Sequence, residues 1–232
     1  VRDVFIASAG NGLLLADWAQ IELKVFAHFA NEQGMLEAIR RGDDLHRYTG
    51  QQIYRIEDIA KAQRAIAKES NFAKVYGAGI PTFSNTAGIS LEEGRAFMAV
   101  YDATFPGVKR FQDEVQAVIR SRATADAPGW VKTPAGRVHP VESDKAFKGL
   151  NYLVQGFSAD LFKRAIVEMA NAGLDEYFIL PVHDECVFDV PLDLMDEVEH
   201  AVVKVMNDDE VLQCPITTET KRVQRWGEAY RD

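Results

Sequence analysis

The apolar pattern predicts an α+β fold, an antiparallel sheet with a long helical insertion. Strand-like runs fall near both ends of the chain, at residues 13–16, 177–190 and 216–223. Between them, residues 43–127 are almost entirely helical in pattern. At 232 residues the chain can bury a core as one large domain or two small ones.

The elements follow in order. Val4-Phe5-Ile6 reads as a strand-like start. Leu13-Leu14-Leu15-Ala16 is a short apolar run ending at Asp17, the pattern of a buried strand. From Gln20 the period turns helical, with Ile21, Val25 and Phe29 sharing a broad face with Leu23 and Phe26. Gly34 and Gly42-Asp43-Asp44 punctuate turns, and a helix is expected over 44–54. Residues 58–77 form a long helix closed by Gly77, a favoured residue just past a helix end. Ser90 and Glu93 make a capping box for a helix to about Thr104, and Pro106-Gly107 opens another to about Ala125. Turn residues at 128–129 and 134–136 bracket a short hairpin of 130–132 and 137–139. Helical period returns over 144–172, with a break expected near Gln155-Gly156. A hairpin over 177–190 carries His183 and Asp184 at its tip, and a helix (192–206) and a strand (216–223) close the chain.

Hydrophobic residues make up 47% and charged residues 26%, ordinary globular values. No run of about eighteen apolar residues could span a membrane. Residues 1–7 have no signal-peptide pattern, and the missing initiator Met reads as a fragment or a processed product. Cys186 and Cys214 have no partners at zinc spacing, so a reduced, cytoplasmic compartment is expected. The net charge of −9 runs mildly against nucleic-acid binding, but it is uneven. Residues 175–210 hold twelve acids and one Lys204, read as a solvated face. Residues 61–74 hold Lys61, Arg64, Lys68 and Lys74 against Glu69.

Two features point to chemistry. Asp17 and Asp184 both sit at expected strand ends, and strand ends of one sheet can bring such groups within a few ångströms. Paired carboxylates hold hard, oxygen-loving cations such as Mg²⁺, and a pair of such ions suits phosphoryl transfer. Acids at strand ends also commonly cap or face solvent. The second feature is Arg64, Lys68, Phe72 and Tyr76, spaced every four residues and therefore on one helical face spanning about 18 Å. Cations at one end and aromatics at the other suit the phosphates and the sugar or base of a nucleoside triphosphate. An exposed basic stripe with two aromatics at its edge is the plainer reading.

The motifs carry a resemblance. Asp17-Trp18-Ala19-Gln20-Ile21-Glu22-Leu23-Lys24 resembles motif A of family A (DNA polymerase I-like) polymerases, D-Y-S-Q-I-E-L-R. The segment from Arg64 to Gly77 resembles motif B, R-x3-K-x2-N-F-x3-Y-G. Val182-His183-Asp184-Glu185 resembles motif C, and residues 154–160 resemble the segment between B and C. All four occur in the family's order, and residues 71–79 are especially similar to bacteriophage members.

The resemblance implies a palm built on an antiparallel sheet (1–42 and 128–232) around inserted all-helical fingers (43–127). It implies a template-directed DNA polymerase core adding deoxynucleotides to a primer 3′ end by two-metal phosphoryl transfer. Asp17 and Asp184 would hold two Mg²⁺ ions with the backbone carbonyl of Trp18, and Glu185 would be an auxiliary acid. Gln20, Glu22, His46, Arg64, Lys68, Phe72 and Tyr76 would bind the incoming nucleotide. Of these, Arg64, Lys68 and His46 would face its phosphates and Phe72 its sugar, with Glu22 excluding a 2′-hydroxyl and Tyr76 guarding the templating position. Arg137, Asn151, Gln155 and His183 would contact primer–template DNA. A thumb and exonuclease segment would act in cis or in trans, in the cytoplasm of a bacterial or phage-infected cell.

Departures are few. Trp18, Ala19 and Lys24 stand for Tyr, Ser and Arg, Ala73 stands for a frequent Gly, and Lys145 or Lys148 stands for an Arg before Asn151. A metal-dependent nuclease also needs paired acids but gives no reason for the Arg64–Tyr76 face. A non-catalytic primer–template-binding remnant would not need Asp17, Asp184, Arg64 and Lys68 intact. A single-subunit RNA polymerase is a cousin, but Glu22 and His183-Asp184-Glu185 resemble the DNA enzymes. His28, Phe29, Trp130 and Trp226 read as packing, His139 and His200 as surface, and Cys186 as an inert core thiol.

Overall fold

In chain order the elements are strand β1 (Asn11–Trp18), then helices α1 (Ile21–Ala30), α2 (Gln33–Arg40), α3 (Leu45–Tyr54), α4 (Lys61–Tyr76), α5 (Ile80–Ala87), α6 (Leu91–Thr104) and α7 (Pro106–Arg122). Strands β2 (Gly129–Lys132) and β3 (Val138–Val141) follow, then α8 (Gly149–Asn171), β4 (Phe178–Val182), β5 (Glu185–Pro191), α9 (Met195–Met206) and β6 (Thr218–Val223). This computed structural model describes residues 1–207 and 210–231. Asp208 and Asp209, two acids of the 175–210 run, lie outside the described residues.

The fold is α+β, as the segregated patterns imply. Residues divide into two compact units. One comprises Val1–Ile21, Ser158–Val211 and Pro215–Asp232, and the other comprises Glu22–Phe157 and Leu212–Cys214. These contact-defined units are cut elsewhere than the boundaries at 42 and 128.

In the first unit the sheet runs β4-β5-β1-β6, antiparallel throughout. Leu13 to Ala16 are buried because β1 is a central strand covered on both faces. Alternation along β1 sends Leu13 and Leu15 to one face, where they pack with Val187 and Trp226. Asp17 ends that same face. Leu14, Ala16 and Trp18 point the other way, where Trp18 meets Phe162 edge-on and donates its indole N–H to the Met206 carbonyl at 2.9 Å. Helix α9 packs against β1, β5 and β6.

In the second unit α3 packs along α4, α4 on α5, and α5 on α6. The hairpin of β2 and β3 pairs Gly129 with Val141, and β2 rests on α7. Helix α6 starts at the expected capping box: the Ser90 side chain accepts from Glu93 N, and Glu93 Oε2 accepts from Ser90 N at 2.8 Å. Helix α4 ends at Gly77, whose φ of 66° suits glycine. A Cβ there would lie 2.4 Å from the Phe147 carbonyl oxygen, so shape as well as φ demands glycine.

Several expectations are corrected. Val4-Phe5-Ile6 is not a strand: Arg2–Val4 is a 3-10 turn, and the pairing that follows is a single bridge from Ile6 to Arg225, flanked by bonds from Ala7 N to Gln224 O and from Trp226 N to Phe5 O. Gly34 does not stop a helix but lies inside α2, where a Cβ would meet the Tyr48 hydroxyl at 2.8 Å. Helix α8 passes unbroken through Gln155-Gly156. Gly156 is there because a Cβ would lie 2.6 Å from His139 Nε2, a packing demand that resembles a breaker in sequence. The irregularity falls earlier, in the 3-10 stretch Ser143–Lys148, at Lys145. His139 is half-buried and stacks on Tyr152, so it is not a surface residue. Within the acidic run, Glu185 is buried and Glu199 is tied to Thr220 and Arg222, so the run is not uniformly solvated.

Candidate functional site

The end of β1 gathers acids. Asp17 faces Glu185 across β5 and Glu219 across β6, and directly opposed residues share a face. Asp184 comes from the tip of the β4–β5 hairpin, where His183 turns the chain with φ of 59°. The Trp18 amide donates to the Asp184 carbonyl at 3.4 Å, tying the tip to the end of β1. Partial burial, and then the charges of Asp184, Glu185 and Glu219, push the Asp17 carboxyl up to about 7, and it hydrogen-bonds to Asp184. Like charges at this spacing favour a shared proton or a cation.

Glu185 differs from its neighbours in being buried, at 8% exposure. Trp226 Nε1 donates to its Oε1 at 3.0 Å, and the Tyr230 hydroxyl donates to Oε2. Arg2 stacks over the Tyr230 ring at 4.1 Å. Next to it, burial pushes the Cys186 thiol up to about 12, so that thiol stays protonated and inert.

Among the described residues no cluster of three or more His, Cys, Asp or Glu could hold a metal ion by itself. Two carboxylates at a strand end fit an ion that takes its other ligands from substrate phosphates and water, the usual habit of Mg²⁺.

The second unit holds the cationic and aromatic residues. On α4, Ala67, Ser70, Asn71, Ala73, Lys74 and Val75 are buried, whereas Arg64, Lys68, Phe72 and Tyr76 are partly or fully open. Phe72 and Tyr76 stack with ring centroids 5.8 Å apart and planes within 5°. Lys68 Nζ lies 5.8 Å above the Phe72 ring. Arg64 donates through Nε (3.2 Å) and Nη2 (2.6 Å) to Asp44. The Tyr76 hydroxyl donates to Glu22 at 2.8 Å, so two residues 54 positions apart close into one contact.

His46 sits at 5.5 Å from the Phe72 ring. Burial, together with the charges of Arg64 and Lys68, outweighs Asp44 and pushes it down to about 4, so it is neutral near pH 7. Its Nδ1 accepts from the Asn71 amide at 3.2 Å, which puts the ring proton on Nε2. Asn71 is itself held by Thr49 and by the Tyr101 hydroxyl at 2.9 Å.

The residues expected to meet DNA are spread more widely. Arg137 follows the β2–β3 turn, its amide bonded to Thr133 Oγ1. Asn151 and Gln155 stand one turn apart on α8; Gln155 is exposed, and Asn151 Oδ1 is buried with no partner among the described residues. His183 is exposed at the hairpin tip, and Gln20 makes the positive-φ turn between β1 and α1.

Sequence reasoning missed four supporting groups. Asp44 is legible in hindsight as an acid directly before a helix. Asn71 lay inside the quoted motif without a role. Trp226 and Tyr230 gave no local signal, because their partner Glu185 is more than 40 residues away.

Comparison with known proteins fits this geometry. A family model described as DNA polymerase family A matches residues 1–228. DNA polymerase I of Pseudomonas aeruginosa is 34% identical over 99% of this chain and 26% of its own length. The DNA polymerase of Mycobacterium phage L5 is 34% identical over 82% of this chain and 30% of its own length. Among solved structures, the POL domain of Pol1 from M. smegmatis, in complex with DNA primer-template and dNTP, superposes with a TM-score of 0.88 at 26% identity. That match covers 100% of this chain and 43% of the other. The chain thus spans about a quarter to a third of the curated relatives named here. With the family match nearly end to end, the chain belongs to DNA polymerase family A.

Proposed function

We propose that this chain carries the nucleotide-adding centre of a DNA-directed DNA polymerase. The observation that carries the reading is the pair Asp17 and Asp184, hydrogen-bonded together where like charge is least tolerable. In this reading the sheet-bearing segments act as the palm and the inserted helices as the fingers. Asp17 and Asp184, with the Trp18 carbonyl, hold two Mg²⁺ ions, and Glu185 stands beside them. When bound, such ions stabilise negative charge on a transferring phosphoryl group.

The remaining work falls to side chains. Arg64 offers a planar fork and Lys68 a mobile ammonium to triphosphate oxygens. Neutral His46, with its proton on Nε2, donates one hydrogen bond without adding charge. Phe72 offers an apolar ring to the sugar, and Tyr76 with Glu22 closes the space where a 2′-hydroxyl would fall. Gln20 joins the nucleotide contacts, and Arg137, Asn151, Gln155 and His183 meet primer–template. A nuclease would need the acids but not this open aromatic and cationic face.

The test is primer extension by the chain, supplied with primer–template and deoxynucleotides, with Mg²⁺ and after its removal by chelation. Nucleotide addition that requires Mg²⁺ and vanishes in Asp184→Asn supports the reading. Cleavage of the primer without addition would replace it with the nuclease.

A further inference from the structure

Asp44 belongs to two structures at once. As the residue before α3 it caps that helix, its Oδ1 accepting from the Arg47 amide at 2.6 Å. The same carboxylate receives Nε and Nη2 of Arg64, from α4, at 3.2 and 2.6 Å. Burial alone would push its carboxyl up, but the bonds from Arg64 and from the Arg47 amide hold it below the usual carboxylate range. Two N–H groups gripping one carboxylate fix the plane of a guanidinium as one bond cannot. An arginine has five N–H donors, so the grip leaves others to face outward. The Arg64 side chain remains 40% exposed. His46 lies two residues beyond Asp44 on α3, and Lys68 lies one turn beyond Arg64 on α4.

We infer that Asp44 is a positioning residue: its carboxylate locks the Arg64 fork on the edge shared by α3 and α4, so that the free edge of the guanidinium is presented to the phosphates of the incoming nucleotide. The inference rests on Arg64 gripping the triphosphate. It adds that the grip is built before substrate arrives, so binding need not spend side-chain order on Arg64.

Helix capping and positioning are separable. Asn caps a helix about as well as Asp, so Asp44→Asn keeps α3 while removing the charge-assisted fork. Each variant of the full chain would be titrated by calorimetry with a deoxynucleoside triphosphate in Mg²⁺, on a primer–template with a dideoxy-terminated primer. Asp44→Asn is expected to weaken nucleotide binding about five- to tenfold, with duplex affinity and thermal midpoint unchanged. In an Arg64→Ala background the same change should alter nucleotide affinity by less than about twofold. Arg64→Lys, which keeps the charge but cannot make the fork, should copy Asp44→Asn. A loss in Arg64→Ala without one in Asp44→Asn and Arg64→Lys would overturn the inference alone. Tighter binding by Asp44→Asn would make Asp44 a blocking counter-ion and overturn it as well. No loss in Arg64→Ala would sink the triphosphate reading of Arg64 and this inference together.

Discussion

At the end of β1 four carboxylates share one corner: Asp17, Asp184, Glu185 and Glu219. Along α3 and α4 the polar groups are instead tied to neighbours by hydrogen bonds, Arg64 to Asp44, Tyr76 to Glu22 and His46 to Asn71. The repulsion at Asp17 is one that a proton or a cation relieves, whereas the open face of α4 is already ordered by its own hydrogen bonds. Crowded charge of this kind marks a candidate site for an outside cation. Satisfied hydrogen bonds mark where orientation matters more than charge.

The sharpest way to break this contrast is at the acids. Asp17→Asn and Asp184→Asn should each lower primer extension by about 10²-fold or more, with the fold intact by circular dichroism. Near-normal extension by either variant would remove that acid from the centre.

Arg64→Ala and Lys68→Ala come next. Both should weaken nucleotide use about tenfold while leaving duplex binding nearly unchanged, as gel-shift and steady-state measurements would check. Equal losses in both would move them to DNA-backbone contacts. Arg64 should cost more than Lys68, because it is the one held by a fixed partner.

Sugar recognition should move by less. Glu22→Ala removes the bulk and the acceptor of Tyr76, and should raise ribonucleotide use relative to deoxyribonucleotide, read as a ratio of kcat/KM values. Phe72→Tyr places a hydroxyl on the ring stacked over Tyr76, and should relax discrimination against dideoxynucleotides with little effect on normal ones. An unchanged ratio in either comparison would put the gate elsewhere.

The smallest effect concerns stability without divalent ions. The Asp17 carboxyl takes its proton near 7 in the folded chain and near 4 when unfolded. Between those values the folded state holds the extra proton, so stability should fall as pH rises through that window. Asp17→Asn should flatten the slope, by about 1 kcal/mol at pH 8 after allowing for solvent screening. Thermal melts at pH 5 and pH 8 in chelator would check it, and identical slopes for both proteins would refute the crowding.

Much of this was legible in the residues themselves. β1, the 177–190 hairpin, α3, α4 and α6 were readable because short-range signals mark them: a buried apolar run, turn residues before a helix, a capping serine, a glycine at positive φ. The four-residue spacing of Arg64 to Tyr76 gave the face, and the open side of α4 carries it. Contacts made across long stretches of chain were not legible. Gly34 and Gly156 were read as breaks because sequence does not reveal that Tyr48 and His139 press against them. Glu185 was read only as an auxiliary acid, without its partners, because nothing local announces Trp226 and Tyr230.

The grip of Trp226 on Glu185 also has an optical consequence. The chain's three tryptophans sit in different surroundings: Trp18 bonded to the Met206 carbonyl, Trp130 under the Arg122 guanidinium at 3.7 Å, and Trp226 with its indole N–H on the buried acid of the carboxylate corner. Indole emission shifts with the charge and hydrogen bonding at that N–H. A protein carrying Trp18→Phe and Trp130→Phe would therefore hold one native fluorophore wired to the acidic corner, able to report cation arrival there without any label.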